Sequence, residues 1–249
     1  LEYTERSYRE LFRQDDLFHF QVAVNQTDLD IGVRRERFSP EMAKWVEEIV
    51  REQRELLEKY IEEDHAFLHS LLPCDLKPSA PRIAVDMAEA SRLAGVGPMA
   101  AVAGAFAQYI GEALAKRSRD VIVENGGDIY LRSARQRRIG IFAGRSPLSN
   151  RIALLIRPED TPLGVCTSSG TVGHSLSLGS ADAVVILAPS AILADAVATA
   201  AGNLIQCRED VQKAVEFAAG IAGVTGAVAI KEDRLAASGK IKLVPLKSQ

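Results

Sequence analysis

The sequence predicts an α+β protein with antiparallel sheets, and three observations lead there. A strand-like hairpin occupies residues 17–35, helical periodicity follows over residues 39–116, and apolar runs separated by turn signals begin at Asp120. Strands in a run, then helices, then strands suit α+β packing better than a regular βαβ alternation. The classical mononucleotide folds are disfavoured as well. GVGPMAAVAGA at 95–105 lacks the third glycine of a dinucleotide fingerprint and follows no strand, and no Walker A sequence is present. A chain of 249 residues has room for one large domain or two small ones. No linker compels a cut, so residues 1–249 are read as a single domain.

The elements follow in order. Phe18, Phe20, Val22 and Val24 alternate with other residues, NQTD makes a turn, and Leu29, Ile31 and Val33 alternate again. Ser39-Pro40 opens a helix, with Ser as N-cap and Pro at the first helical position. Met42, Trp45, Val46, Ile49, Val50, Leu56, Leu57, Tyr60 and Ile61 keep its apolar stripe. About 25 residues of helix span about 37 Å and must cover a sheet or a partner chain, which makes a homodimer an expectation. Pro73, Pro78 and Pro81 mark a loop; residues 82–94 form a second helix, GVGP breaks it, and Met99–Lys116 forms a third. That third helix is small and apolar on most sides, as a central buried helix is. Four strands then read as VIVENGG, DIYLRS, RRIGIFAG and RIALLIR, followed by strands at 163–168 and 183–188. Helices at 190–203 and about 209–222 come next, and strands at Val224–Ile230 and Ile241–Pro245 close the chain.

Composition sets limits on function. Hydrophobic residues make up 47% and charged residues 25%, ordinary for a globular protein with an ample core. A net charge of −3 implies no general affinity for nucleic acid or membranes. Three scattered cysteines, Cys74, Cys166 and Cys207, argue against a disulfide framework and suit a reducing compartment. No stretch approaches the roughly 18 consecutive apolar residues of a membrane span. LEYTERSYRELFRQDD is too charged for a signal peptide, so a cytoplasmic location is the expectation, although Leu1 in place of Met leaves room for a lost leader.

Residues 163–203 concentrate the chemistry. Asp195 and Thr199 sit four apart, so their oxygens share one face of an otherwise Ala/Val/Leu helix. A carboxylate and a hydroxyl on adjacent turns make a hard-oxygen pair of the kind Mg²⁺ prefers; a solvated helix face is the plainer reading. VENGGDIYL at 123–131 places Glu124, Asn125 and Asp128 around Gly126-Gly127, a pair that lets a ligand approach the main chain, or simply turns a hairpin. CTSSGTVGHSLSLGS at 166–180 is a hydroxyl-rich loop suited to phosphate or a flavin edge. His174 within it is a candidate general base, and a polar turn between strands is the alternative. A Ser/His/Asp hydrolase would use Ser168 or Ser169, His174 and Asp182, but no Gly-x-Ser-x-Gly elbow supports it. His65 and His69 have zinc spacing without a third ligand, and Arg132, Arg135, Arg137, Arg138 and Arg145 form a basic patch that suits a solvated hairpin tip.

Taken together, VENGGDI, CTSSG and VVILAPSAILADAVATA resemble the Gly-Gly-Asp, Thr-Ser-Gly and Ala-Asp-Ala-x-Ala-Thr motifs of the ApbE family of FAD:protein FMN transferases, over roughly residues 80–205. VGPMA, VENGGD and TSSGTVGHS are similar still more to a bacterial and archaeal ApbE-like branch. The resemblance implies an ApbE-like T-fold, antiparallel sheets layered against long helices. It implies Mg²⁺ held by Asp195, Thr199 and a carbonyl near Ala103, beside an FAD pyrophosphate. Flavin contacts would come from Asn125, Gly126, Gly127, Thr167, Ser168, Ser169 and Gly170, with His174 and Asp128 as catalytic groups. The activity implied is transfer of FMN from FAD to a protein Ser or Thr, or cleavage of the FAD pyrophosphate. Two departures mark this chain. GHSLSLG replaces the family's His-x-x-Asp-Pro-x-Thr-Gly, and the family's lysine in the small-residue helix corresponds to about Gly104. They leave open a non-catalytic accessory protein that binds a flavin, nucleotide or other anion, in an assimilatory pathway such as that of sulfur.

Overall fold

The structure, a computed structural model, describes Arg9, residues 13–170 and residues 178–246. Strands β1 (Leu17–Val24) and β2 (Thr27–Arg34) pair in register Val24↔Thr27, with Asn25 in the left-handed region at φ +52°. The long helix α1 runs Pro40–Glu63, its first turn capped by Ser39 Oγ, which accepts from the Met42 N–H at 3.3 Å. Asp64 breaks it, so His65 and His69 lie on a separate short helix α2 (His65–His69) rather than on the end of α1. Helix α3 spans Arg82–Ala94 and stops at Gly95, φ +74°. The third predicted helix divides: Pro98–Ala101 is a 3₁₀ turn, and α4 proper is Val102–Ala115.

The strands that follow are β3 (Val121–Asn125), β4 (Asp128–Arg132), β5 (Arg137–Gly140), β6 (Ile152–Ile156), β7 (Leu163–Ser168) and β8 (Ala183–Ala188). Helices α5 (Ala191–Asn203) and α6 (Val211–Ala219) come next, then β9 (Gly226–Lys231), β10 (Arg234–Gly239) and β11 (Leu243–Pro245). Eight strands form one antiparallel sheet in the order β1-β2-β3-β4-β7-β8-β9-β10, and β11-β6-β5 form a second. Strand β10, RLAASG, is absent from the sequence reading. Its Ala and Ser residues carry little strand propensity, and at the sheet edge it is fixed by pairing with β9, Leu235↔Ile230, rather than by its own pattern.

The large sheet is buried on both faces. Val121, Val123, Val184, Ile186 and Ala188 face the helices, whereas Ile122, Val185 and Leu187 pack with Ile139, Leu154 and Ile156 of the small sheet. Strands covered on both sides read as continuous apolar runs instead of alternating ones, which is why 183–188 carries no period of two. Three layers result: helices, large sheet, small sheet. No single helix among the described residues is long and apolar enough to cross a membrane.

Candidate functional site

Helix α5 lies centrally, with Ala191 through Ala198 all buried. It is held between β7 and α4 by two glycines. A Cβ on Gly164 would stand 2.4 Å from Ala191 Cα, and one on Gly104 would stand 2.3 Å from the Ala191 carbonyl oxygen and 2.8 Å from Asp195 Cβ. No side chain fits at 104, so α4 and α5 meet there backbone to backbone.

This close approach sets Asp195 on the N-terminus of α4. Its Oδ2 accepts from the Gly104 N–H at 2.8 Å, and the Ala103 N–H also donates to it. These are amides with no partner inside their own helix, and the positive end of the helix dipole faces the carboxylate. The Ala103 carbonyl in turn accepts from Asn125 Nδ2 at 3.2 Å, in addition to the bond its place in α4 gives it, so a metal at this oxygen would take the place of the Asn125 amide. Thr199 follows one turn along α5, half-buried.

The opposite wall is the β3–β4 hairpin. Asn125 pairs with Asp128 across Gly126 and Gly127, at φ +68° and +106°. Positive φ at both positions is the two-residue turn that suits twisted strands, so the double glycine does turn a hairpin. The hairpin lies against β7: a Cβ on Gly127 would sit 3.6 Å from the Thr167 carbonyl oxygen, and Asp128 Oδ1 accepts from the Thr167 N–H at 3.3 Å. Glu124 Oε1 accepts from the Gly127 N–H at 2.8 Å. Its other oxygen pairs with Arg9 at 2.5 Å, and Arg9 also holds Asp28 at 3.0 Å.

The electrostatics are those of crowded acid. Burial pushes the Asp128 carboxyl well above the usual carboxylate range, and repulsion from Asp195 adds to it. Burial also drives Asp195 up to about 7, against the pull of the Gly104 and Ala103 amides. Cys166, buried, donates to the Ala191 carbonyl at 3.3 Å; burial pushes its thiol well up, with Asp128 and Asp195 reinforcing. No Lys, Arg or His among the described residues pairs with Asp128 or Asp195. Buried negative charge without a basic partner is the situation a cation relieves. A cation here would draw on Asp195, the Thr199 hydroxyl and the Ala103 carbonyl, an all-oxygen set that suits magnesium.

Ser168, Ser169 and Gly170 continue from the end of β7. Ser169 Oγ donates to the Ala181 carbonyl at 3.4 Å and the Gly170 N–H to the same oxygen at 2.9 Å. A Cβ on Gly202 of α5 would meet Ser168 Oγ at 3.3 Å, so this edge also lies against the helix. His174 lies outside the described residues. Asp182 is committed elsewhere: it accepts from the Glu232 N–H at 2.5 Å, in the β9–β10 turn. His65 and His69 are exposed, and no group of three or more His, Cys, Asp or Glu side chains among the described residues is arranged to hold a metal. The basic patch does not stay together. Arg137 is buried, 3% exposed, and pairs with Asp16 at 2.5 Å and Asp120 at 3.2 Å. Neither Arg9 nor Cys166 was a sequence candidate; partners more than a hundred residues apart, as in Arg9–Glu124, leave no local signal.

Comparison with known proteins agrees with this architecture. A family model described as "AbpE bacteria" matches residues 9–237. A UPF0280 protein of Methanocaldococcus jannaschii is 41% identical over 229 residues, covering 90% of this chain and 91% of that protein. A UPF0280 protein of Methanosarcina acetivorans is 37% identical over 240 residues, covering 96% and 92%. Among solved structures, the apo flavinyl transferase ApbE of Pseudomonas stutzeri is similar at TM-score 0.55 and 16% identity, over 92% of this chain and 96% of that one. The flavin transferase ApbE of Vibrio cholerae gives TM-score 0.54 and 13% identity, over 89% and 96%. Identity at that level carries the fold alone, and that fold is the ApbE T-fold of antiparallel sheets layered against helices. On a family match spanning residues 9–237 and relatives at 37–41% identity, the chain belongs to the ApbE-like family, in its UPF0280 group.

Proposed function

We propose that this chain acts on a flavin nucleotide, as a magnesium-dependent FMN transferase or an FAD pyrophosphate-cleaving enzyme. The observation that carries the reading is Asp195, a buried carboxylate seated on the first amides of α4 beside a second buried acid and one turn from Thr199. Asp195, Thr199 and the Ala103 carbonyl would hold the metal, which when bound polarises a phosphoryl oxygen of the ligand. Asn125, Gly126 and Gly127 offer a hairpin tip that a flavin can approach closely, and Thr167, Ser168, Ser169 and Gly170 would form a small, hydroxyl-bearing edge beside the phosphate. Asp128, whose carboxyl is pushed upward by burial and by Asp195, is the proposed proton donor, and His174 is the proposed base. In transfer, an acceptor Ser or Thr oxygen attacks the FMN-side phosphorus and AMP leaves; with water in place of the acceptor, FMN and AMP are released.

Incubation with FAD and MgCl₂ followed by chromatography tests this: AMP should accumulate. Asp195→Asn is the informative variant, because its amide oxygen still accepts from the Gly104 N–H while the charge is gone. It should lose about 100-fold or more in turnover, the scale of removing one charge-stabilising group, with little change in Tm. Wild type that releases neither AMP nor FMN would exclude the reaction. One observation favours a second reading, a non-catalytic flavin- or nucleotide-binding protein: the resemblance puts the family's lysine at about Gly104, where a Cβ has no space. That reading predicts a rise in Tm with FAD or AMP and no turnover.

A further inference from the structure

Helices α4 and α5 cap each other. Asp195 of α5 takes the Ala103 and Gly104 amides of α4. One turn along, Gln108 of α4 returns the contact: its Oε1 accepts from the Ala191 N–H at 2.9 Å, from the Ile192 N–H at 3.4 Å and from Ser190 Oγ at 3.1 Å. Ser190 Oγ takes the next amide, Leu193, at 3.2 Å. The two contacts are in step, four residues apart on each helix, with 104 against 195 and 108 against 191. Between them lies the Gly104–Ala191 approach that admits no side chain. Gln108 cannot turn its amide round at no loss, because Nε2 donates to Glu112 Oε1 at 2.8 Å and so aims Oε1 at α5.

We infer that Gln108 is a positioning residue for Asp195. A helix as apolar as α5 has few directional contacts to fix its rotation and its slide along its axis. Small residues pack almost equally well at neighbouring offsets, whereas hydrogen bonds do not. Gln108 clamps the first turn of α5 and Asp195 the second, so loss of the first clamp lets the carboxylate shift on the α4 amides. Gln108 touches neither the carboxylate nor Thr199; its effect reaches them only through the placement of α5. The metal part of this inference rests on Asp195 and Thr199 being metal ligands; the placement part does not.

Two readouts separate those parts. Amide hydrogen exchange, resolved by NMR, follows the Gly104 N–H, which Gln108 does not contact. Titration calorimetry with MgCl₂ follows the metal. In Gln108→Leu, similar in size but without an acceptor, exchange at Gly104 should accelerate together with Ala191 and Ile192, and Mg²⁺ binding should weaken about tenfold, the usual effect of a group one shell out. Gln108→Glu keeps an acceptor for the α5 amides, although it loses the hydrogen bond to Glu112 and gains a like charge beside it, and should restore much of both. If Gln108→Leu accelerates only Ala191 and Ile192 and leaves Gly104 and Mg²⁺ binding unchanged, Gln108 is a local cap and the inference is overturned. If wild type binds no Mg²⁺ yet Gly104 responds, the metal reading fails and the positioning role stands. Should Gln108→Leu not fold, Gln108→Asn, whose amide stops one methylene short of Ala191, gives the same two comparisons.

Discussion

At Asp195 a capping role and an electrostatic role fall on one side chain, and pH separates them. Burial holds this carboxyl at about 7 and raises Asp128 well above the same ordinary value of 3.8. A carboxyl whose folded pKa is raised binds its proton more tightly in the folded state. Its contribution is therefore full below the unfolded value and is lost as pH rises through the folded one. In EDTA, Tm should fall as pH goes from about 5 to about 8, and MgCl₂ should return most of the loss at the upper end. The double variant Asp128→Asn, Asp195→Asn should flatten the profile and abolish the Mg²⁺ response. A metal-free Tm that does not change across that window contradicts buried, unpaired acids. The spacing that puts Asp195 and Thr199 one turn apart on α5 was legible in the sequence, because two oxygens four apart stand out on an apolar helix. Gln108, Cys166 and Arg9 were not: each matters through a partner brought by the fold, such as Ala191 for both Gln108 and Cys166.

At the scale of elements, the site depends on how closely α4, α5 and β7 approach. Gly104→Ala places a methyl group against the Ala191 carbonyl and Asp195 Cβ, which are main chain and the root of a side chain and cannot swing aside. Overpacking of this kind costs about 1–3 kcal/mol, and α5 must move outward to relieve it. Thermal melts should show a drop of about 2–4 °C for each kcal/mol, and Mg²⁺ and FAD should bind more weakly even to the folded fraction. An unchanged Tm with unchanged ligand binding would mean that the approach tolerates a side chain, and would remove the objection to a lysine there. The elements themselves were largely readable. Ser39-Pro40 announced α1, and the Gly126-Gly127 pair announced the β3–β4 hairpin. What could not be read was a feature set by its neighbour: β10, whose partner supplies its register.

Across the whole molecule, the large sheet separates two buried polar clusters by length as well as by face. The acids Asp128 and Asp195 stand at the hairpin end of β3–β4; Asp120 and Ser133 stand where those strands meet the rest of the chain, five strand residues or about 17 Å away. There Asp120 Oδ1 accepts from Ser133 Oγ at 2.7 Å, the Ala134 N–H at 2.8 Å and Arg137 at 3.2 Å, while Arg137 reaches Asp16 at 2.5 Å. These contacts tie the starts of β1, β3 and β5 together and join the small sheet to the large one. Against burial, which acts the other way, the hydrogen bonds from Ser133, Ala134 and Arg137 hold Asp120 below the usual carboxylate range; the Arg137 hydrogen bond does the same for Asp16. A lowered carboxyl contributes stability above its unfolded value and loses it as pH falls through the folded one, so this cluster weakens in acid, where the Asp128–Asp195 pair is most comfortable. Arg137→Leu leaves Asp120, 3% exposed, with the more distant Arg34 at 3.7 Å as its remaining cation, and should cost about 3 kcal/mol at neutral pH. The penalty should shrink below about pH 4, as Asp120 takes up its proton. Because the clusters share no partner, the folded fraction of Arg137→Leu should bind Mg²⁺ and FAD as wild type does. Denaturant melts at pH 7 and pH 3.5 with ligand titrations on the same samples decide it: a penalty equal at both pH values contradicts the ionic account, and weakened binding would show that the two ends of the sheet are coupled.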